Sequence, residues 1–591
     1  MQDSSEQDVS IPAWIAKNQD FVRQQYFNWV RKSYLCLKNQ TDLYKKLQLS
    51  STINYFQLTP FMEMNLFAKS PQIYSILKLI AFEAWAEEIE LISLHYDGDD
   101  ELLSKTLQGF AERKRIVFSS SVPPAPAVKV FQRISHWSCF GTSPIKSPVW
   151  IFLKWLKSLP LHGFNVRRWK SNIGKFTFYS YYAHFSPSNA SELEFESAYW
   201  GDLPNYIKSI GEHSNWIHLS PKSDGFLASV DKRFILKKWS NEGKSQTHVA
   251  LESFFTVKIM IRTILSWYKI RSHAHAAQHI LSSQRVGGFD FWPYFTSEFE
   301  RYLSGIGLID NLLTYELVKS SINLSSVSQK TFYLYEGQPW EKVLNSTCAQ
   351  LGQNLPIAVQ HSTVRFWDLR YFQHNLELPE HTELETHFPR KLIINGELSL
   401  RMLGNRPPQQ ELIRLESLRY KQNPSVPRKI NVLPGPISPL ILGSFLPGEN
   451  DFILKLLDEV SIQVTGIEFT FKPHPLSNKP FFSNKVSIRQ SNQELWDLLQ
   501  GATHVLIGSS TSAVIEVIEA EIPFSIFLPP STVNLSPLAT IDGIDFLNTP
   551  AQLVSFLTEP HQRNISGLRV EDLVTPHANL DLWKLFFRIQ I

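Results

Sequence analysis

Cysteine is scarce: Cys36, Cys139 and Cys348 are the three in 591 residues, and they lie far apart. That spacing excludes a disulfide framework and any CxxC zinc or redox site, and it suits a reducing cytosol. Charge is sparse too, with Asp, Glu, Lys and Arg making up 19% of the chain. The 58 bases and 55 acids leave only +3, which excludes a generally basic nucleic-acid binder. No run of about 18 apolar residues occurs, so no conventional membrane-spanning helix is expected. The opening MQDSSEQDVS is polar and acidic, and no signal peptide is expected. What is present is aromatic surface: 13% Phe, Trp and Tyr within 43% apolar residues, too much for a disordered chain. At roughly 150 residues per domain, the length allows two to four domains. The expected protein is multidomain and cytoplasmic.

Short apolar runs at 439–445, 467–471, 504–508 and 523–527 alternate with helix-like spacing at 450–460, 492–499 and 512–520. Alternating buried strand and helix means βαβ units and a parallel sheet. A second such region precedes it, with strands expected at 331–335, 356–360 and 391–395 and a helix over 340–351. Further upstream, 89–96 and 115–118 read as strands around a helix over 101–113. Residues 420–437 hold four prolines and read as a linker. The fold class is therefore α/β, with two Rossmann-like domains facing a cleft. The N-terminal one, 1–425, would carry basic helical insertions near 120–175 and 240–330; the C-terminal one spans 426–575, and 576–591 is a closing helix.

Acid is missing from the middle of the chain. Residues 113–191 hold twelve Lys/Arg and no Asp or Glu, and 253–289 hold five and none. Bases interleave there with aromatics, as around Trp150, Trp155 and Trp169. Two readings stand: core helices whose bases face solvent, or a surface seated on anionic lipid with aromatic rings at headgroup depth. The second would make the protein peripheral on the inner face of the cytoplasmic membrane. Nucleic acid is not an expected partner.

The sharpest local signal is FKPHP at 471–475, behind an expected strand. Proline on both sides of His474 forbids a helix and fixes an extended turn. The imidazole then sits at the carboxyl end of a parallel strand, where open α/β sheets bind ligands. Lys472 and His474 can both donate to a phosphate there; an ordinary turn is the alternative. Downstream, VLIGSSTSAVIE ends a strand at Gly508 and opens a helix behind Ser509, Ser510 and Thr511. A hydroxyl N-cap, free N–H groups and the helix dipole would make an anion site. Glu516 would reach ribose hydroxyls or simply face solvent. In the first half, YEGQPWE at 335–341 ends a strand, and Glu336 before Gly337 is placed to act as a general base. Glu341 is a helix-start carboxylate or a rival base. Gln360-His361-Ser362 ends another strand and Asn395-Gly396 a third, which argues for one cleft.

KPHP followed by GSSTSAVIE resembles the donor half of bacterial GT-B glycosyltransferases that use cytidine-nucleotide donors: sialyltransferases, Kdo transferases and capsule polymerases with HP and SS motifs. Glu336-Gly337 is similar to their acidic-Gly motif, and YWGDLP (199–204) and NWIHL (215–219) share the look. The order of motifs resembles proteins of surface-carbohydrate loci, in lipopolysaccharide or capsule synthesis, over most of 331–528. The resemblance implies His474, Ser509 and Ser510 on the donor phosphate and Glu336 as the acceptor-activating base. Beside these, Lys472, Pro475, Thr511 and Glu516 are expected around the nucleotide, His361 as a further catalytic residue, and Gln338 and Gln360 on the acceptor side. One departure is plain: the family usually has two acidic residues before the glycine, and Tyr335 stands in place of the first. The implied activity moves a nonulosonic or Kdo-like acid from a CMP-activated donor to a growing glycan, free or lipid-linked. No cofactor is implied. No metal is implied either, since the cleft segments lack DxD and GDDE at 98–101 reads as a turn and N-cap. A GT-B nucleotide-sugar epimerase and a non-catalytic scaffold of a polysaccharide-assembly complex are the rival readings.

Overall fold

A computed structural model describes residues 10–66, 69–121, 145–171, 175–182, 195–220, 225–241, 245–285, 287–325, 330–376, 386–404, 410–420, 437–475, 477, 480–558, 568–576 and 579–590. Nearly all of the expected linker 420–437 and much of the expected 120–175 insertion lie outside the described residues, as does Cys139.

The first two strands, β1 (Ser93–Tyr96) and β2 (Val117–Ser120), pair in parallel only with each other. They were expected in a Rossmann sheet. Their side chains alternate between exposed and half-buried, so neither can serve as an inner strand covered on both faces. The N-terminal sheet is built instead from β3 (Phe176–Tyr181), β4 (Ser214–Leu219), β5 (Gln246–Ala250), β6 (Lys330–Leu334), β7 (Ile357–Val359), β8 (Lys391–Ile394) and β9 (Glu411–Arg414). These seven parallel strands lie in the order β5-β4-β3-β6-β7-β8-β9. The C-terminal sheet holds β10 (Pro439–Leu442), β11 (Glu468–Lys472), β12 (Ser487–Gln490), β13 (His504–Gly508), β14 (Phe524–Phe527) and β15 (Phe546–Leu547) in the order β12-β11-β10-β13-β14-β15, again all parallel. Each sheet grows from its first strand in both directions, the doubly wound pattern. The expected pair of Rossmann-like domains is what is observed.

Among the strands the sequence did not reveal, two were hidden for one physical reason. The strands β4 and β5, SNWIHL and QTHVA, are wholly buried yet half polar, so they carry no apolar run. Their histidines satisfy each other: His218 Nε2 lies 3.0 Å from His248 Nδ1, with Trp216 stacked on His248. The expected helical insertion over 240–330 therefore begins with a sheet strand, and its helices start at Val257.

The helices Gln19–Asn39, Ile73–Glu88 and Ile306–Asn323 share the largest core with one face of the N-terminal sheet. Trp29 is fully buried at its centre, with the rings of Phe61, Phe291, Trp292 and Phe295 all within 5.5 Å. This helical layer also meets the C-terminal domain. Ser10 donates to Pro530 O (3.2 Å), Lys78 to Ser531 O (2.7 Å), and Val533 and Leu535 enter the same core. The closing helix runs Asp581–Gln590 and returns to the N-terminal sheet, where Trp583, Phe586 and Phe587 pack with Phe176 and Phe332. Glu416 caps it, accepting from the N–H of Leu582 (2.7 Å) and Trp583 (3.2 Å).

Several bases of the acid-free stretches are paired with acids from elsewhere in the chain. Lys114 pairs with Glu83 and Glu87, Lys154 with Asp310, Lys175 with Glu212 and Arg262 with Glu316. Trp169 is buried, and Trp150 and Trp155 are half-buried and pack against the core, so Trp169 adds no anchorage to a lipid surface. Among the described residues no helix is long and apolar enough to cross a membrane.

One buried acid in this layer makes stability depend on pH. Glu298 accepts from Ser70 (2.5 Å) and Gln72 (2.7 Å), and burial pushes its carboxyl up to about 7. The unfolded chain ionises first, so stability present at low pH is lost as pH rises from the ordinary carboxylate range through 7. Glu298→Gln keeps the acceptor oxygen without the charge. It should leave the urea midpoint near pH 5 almost unchanged and raise stability at pH 8 by up to about 3 kcal/mol.

Candidate active site

The two sheets present their carboxyl ends to one interdomain cleft, and every functional loop leaves a strand there. On the N-terminal side, β6 ends at Leu334 and the chain turns through Tyr335, Glu336 and Gly337 into the helix Pro339–Gln350. Gly337 has φ +70°, and a Cβ there would lie 2.5 Å from Arg370 O, so only glycine fits. Glu341, 2% exposed, holds the turn by accepting from the N–H of Glu336 and of Gly337, each at 3.0 Å. Burial and the Glu336 charge push the Glu341 carboxyl up, and these N–H groups pull it back. It is a brace for the loop, not a group open to a substrate.

Glu336 is presented differently. Gln338 Nε2 donates to it at 2.5 Å, His361 Nε2 stands 3.4 Å from Oε1, and Arg370 Nη1 stands 3.8 Å from Oε2. Burial alone would raise its carboxyl. The His361 hydrogen bond, the Arg370 charge and Gln338 outweigh that and hold it well below the usual carboxylate range. His361 follows β7 and carries Tyr199 edge-on at 4.6 Å, which gives the YWGD segment a place in the cleft. Glu336 and His361 thus form a couple, with Arg370 and Gln338 fixing the carboxylate.

Gln360, expected on the acceptor side, is turned inward. It is 4% exposed, donates to Ser362 O and Ser399 Oγ (2.5 Å each), and its oxygen accepts from Asn395 N–H (3.3 Å). It joins the ends of β7 and β8. Its partner in that expectation, Gln338, is tied to Glu336 as described.

Across the cleft, His474 follows β11 in an extended turn, with Phe445 5.5 Å from its ring. Burial first, then the charges of Arg365 and Arg419, push its imidazole down to about 4. Those arginines come from the N-terminal domain. Arg365 donates to Ser510 O, binding the two domains together, and Arg419 is open to solvent in the cleft. Neither was found in the sequence. The cue was RFWDLR at 365–370, two arginines around an acid just beyond the β7 strand end.

The hydroxyl cluster departs from expectation. Ser509 donates to Glu449, and Ser510 engages Ser444 and Glu449, so both buried side chains turn into the C-terminal domain and away from the cleft. Glu449, in the first turn of the helix Pro447–Glu459 after β10, was also unforeseen. The following helix is only Val514–Glu519; its N-cap is Ala513 rather than a hydroxyl residue, and Thr511 Oγ1 accepts from Ala513 N–H at 3.3 Å. Six residues give little dipole, so positive charge here comes from the arginines. Lys472 donates to Gln493 O and Pro475 is exposed at the turn. Glu516 is half-buried, with Oε2 shut off from solvent and without a hydrogen-bond partner among the described residues. Burial pushes its carboxyl up, and Arg419 pulls it back. Among the described residues no group of three or more His, Cys, Asp or Glu could hold a metal ion.

Glu341→Gln tests the brace. One of the two N–H groups would face an amide NH₂ instead of a carboxylate oxygen, so urea denaturation should show a loss of about 2 kcal/mol, the scale of a hydrogen bond to a charged group.

No known family profile matches the chain, and no curated protein matches it. Solved structures do align. An α,α-trehalose-phosphate synthase (UDP-forming) from Burkholderia xenovorans, in complex with glucose-6-phosphate, is 12% identical over 71% of this chain and 99% of its own, with a TM-score of 0.35. The glycosyltransferase SnogD from Streptomyces nogalater is 9% identical over 70% and 99%, at 0.36. Alr3699/HepE from Anabaena, in complex with UDP and glucose, is 9% identical over 71% and 100%, at 0.31. The two-domain architecture rests on the strand orders above rather than on these distant likenesses.

Proposed function

We propose that the protein is a glycosyltransferase: it moves a sugar from a nucleotide-activated donor to a growing glycan. The observation that carries this is the opposition, across one cleft, of the Glu336–His361 couple and the His474, Arg365 and Arg419 group. The first can take a proton from an acceptor hydroxyl. The second can bind a phosphate and stabilise it as the bond from sugar to phosphate breaks. Glu336, held far below the usual carboxylate range, is a poor proton acceptor by itself. It is nevertheless the half-exposed member of the couple, since His361 Nε2 faces Glu336 and Nδ1 is shut off from solvent. Its carboxylate therefore meets the acceptor hydroxyl and takes the proton late, as the new bond forms.

The donor we propose is a CMP-linked nonulosonic or Kdo-like acid. Two arginines beside His474 suit a ligand with one phosphate and a sugar carboxylate, and the KPHP motif order supports cytidine. The acceptor we propose is a bacterial surface glycan on a lipid carrier.

Calorimetric titration with CMP, UDP and GDP tests the donor. CMP should bind best, and preference for UDP or GDP would discard cytidine while keeping the transferase. His474→Ala should weaken nucleotide binding by about 1.5–3 kcal/mol. An arriving phosphate must raise the His474 pKa from about 4, so binding should take up protons and tighten as pH falls from 6.5 toward 4. Equal heats in buffers of different ionisation enthalpy would remove His474 from the phosphate.

Glu336→Gln should cut turnover by a factor of about 10² to 10⁴ with donor affinity unchanged. Turnover within a few-fold of the parent would make Glu336 a turn residue. Donor consumed at full rate without any acceptor would point to an epimerase.

A further inference from the structure

We infer that one outer face of the N-terminal domain is a docking surface for an anionic lipid bilayer, built from three neighbouring helices. The helix Lys146–Ser158 packs against both Phe226–Asn241 and Val257–Arg271. Arg233 donates to Pro160 O (2.8 Å) and Gly163 N–H to Ser253 O (2.9 Å), which tie the three together. Their inner faces supply Ile151, Leu236, Ile259 and Trp267 to the core. Their outer faces are apolar too: Phe234 is 71% exposed, Tyr268 69%, Leu265 65% and Ile261 51%, with Phe152 and Leu153 beside them. Single exposed apolar residues are ordinary, but clustering is not. Of 25 exposed large apolar side chains among the described residues, twelve stand on these helices or on Ile145 just before the first.

Charge identifies the occupant. The three helices carry eleven Lys/Arg and a single acid, Asp231, in a chain whose bases and acids otherwise nearly balance. Lys154 and Arg262 are paired with the helix behind them. Lys146, Lys157, Arg233, Lys237, Lys258 and Lys269 are exposed and flank the apolar rows. Large apolar groups one helical turn apart, with bases at their sides, suit the boundary between acyl chains and anionic headgroups. A second copy docked by the same face would set base against base, which disfavours a self-contact. The helix 226–241, which neither acid-free stretch contains, provides a third of this face, and the buried Trp169 provides none of it.

The strands β4 and β5 lead into the helices 226–241 and 257–271, so the first turns of both helices lie at the sheet edge that presents Glu336 and His361. That the bilayer would deliver the acceptor rests on the transferase reading; bilayer binding itself does not.

The test uses the full chain, sedimented with vesicles of phosphatidylglycerol mixed into phosphatidylcholine and with phosphatidylcholine alone. Binding should require the anionic lipid and weaken at least tenfold as salt rises from low to physiological strength. Phe234→Ser with Leu265→Ser, and separately Lys157→Gln with Arg233→Gln and Lys258→Gln, should each weaken it at least tenfold while CMP titration stays unchanged. Indifference to phosphatidylglycerol at low salt would overturn the inference, as would a dimer in light scattering that the Phe234/Leu265 variant abolishes. Vesicle binding without nucleotide binding would leave the surface standing and sink the transferase reading.

Discussion

In a parallel sheet every strand releases its chain at the same edge, and each sheet here is wholly parallel. Two such edges set face to face leave little freedom in where chemistry can go. Glu336 follows β6, His361 follows β7, His474 follows β11, and Ser509–Thr511 follow β13. The reversal of strand order occurs between β3 and β6 in one sheet and between β10 and β13 in the other, which opens a crevice at both. The same geometry buries loop backbone, whose N–H groups must then be satisfied by side chains. Glu341 does so for the Glu336 turn, and Gln360 and Glu449 join neighbouring loops.

The polar groups of the cleft divide into two kinds. Glu341, Gln360, Ser509, Ser510 and Glu449 are sealed inside and bonded to their surroundings, and they hold loops in place. Glu336, Arg365, Arg370, Arg419 and His474 keep some access to solvent, and their charges perturb one another. The N-terminal domain supplies both arginines that act on the C-terminal His474. This cationic group is therefore complete only when the domains are together, and the Arg365 bond to Ser510 O is one contact that keeps them so.

The sequence revealed four of the six C-terminal strands, because runs such as PLIL and VLIG are unbroken and apolar between turn residues. It revealed Glu336, His361 and His474 because glycine and proline mark the turns that carry them. It hid β4 and β5, whose buried histidines and asparagine look like surface. It also misread the SSTS segment: hydroxyls before a helix suggest a cap facing a ligand, but Glu449, far away in sequence, draws Ser509 and Ser510 inward. Long-range partners of that kind leave no local pattern.

The return of the chain to the N-terminal domain has a mechanical consequence. Val574 runs so close to Gly396 that a Cβ there would meet its Cα at 2.3 Å, and Thr575 donates its N–H to Asn395 O while accepting from that of Ser417. With β9 in one sheet and β10 in the other, the chain passes between the domains twice, outward and back. These two crossings add to the Arg365 bond to Ser510 O and to the seating of Val533 and Leu535 in the N-terminal core. Sliding or twisting would pull on one crossing or the other. The two links therefore help to keep His474 and Glu336 in one register across the cleft.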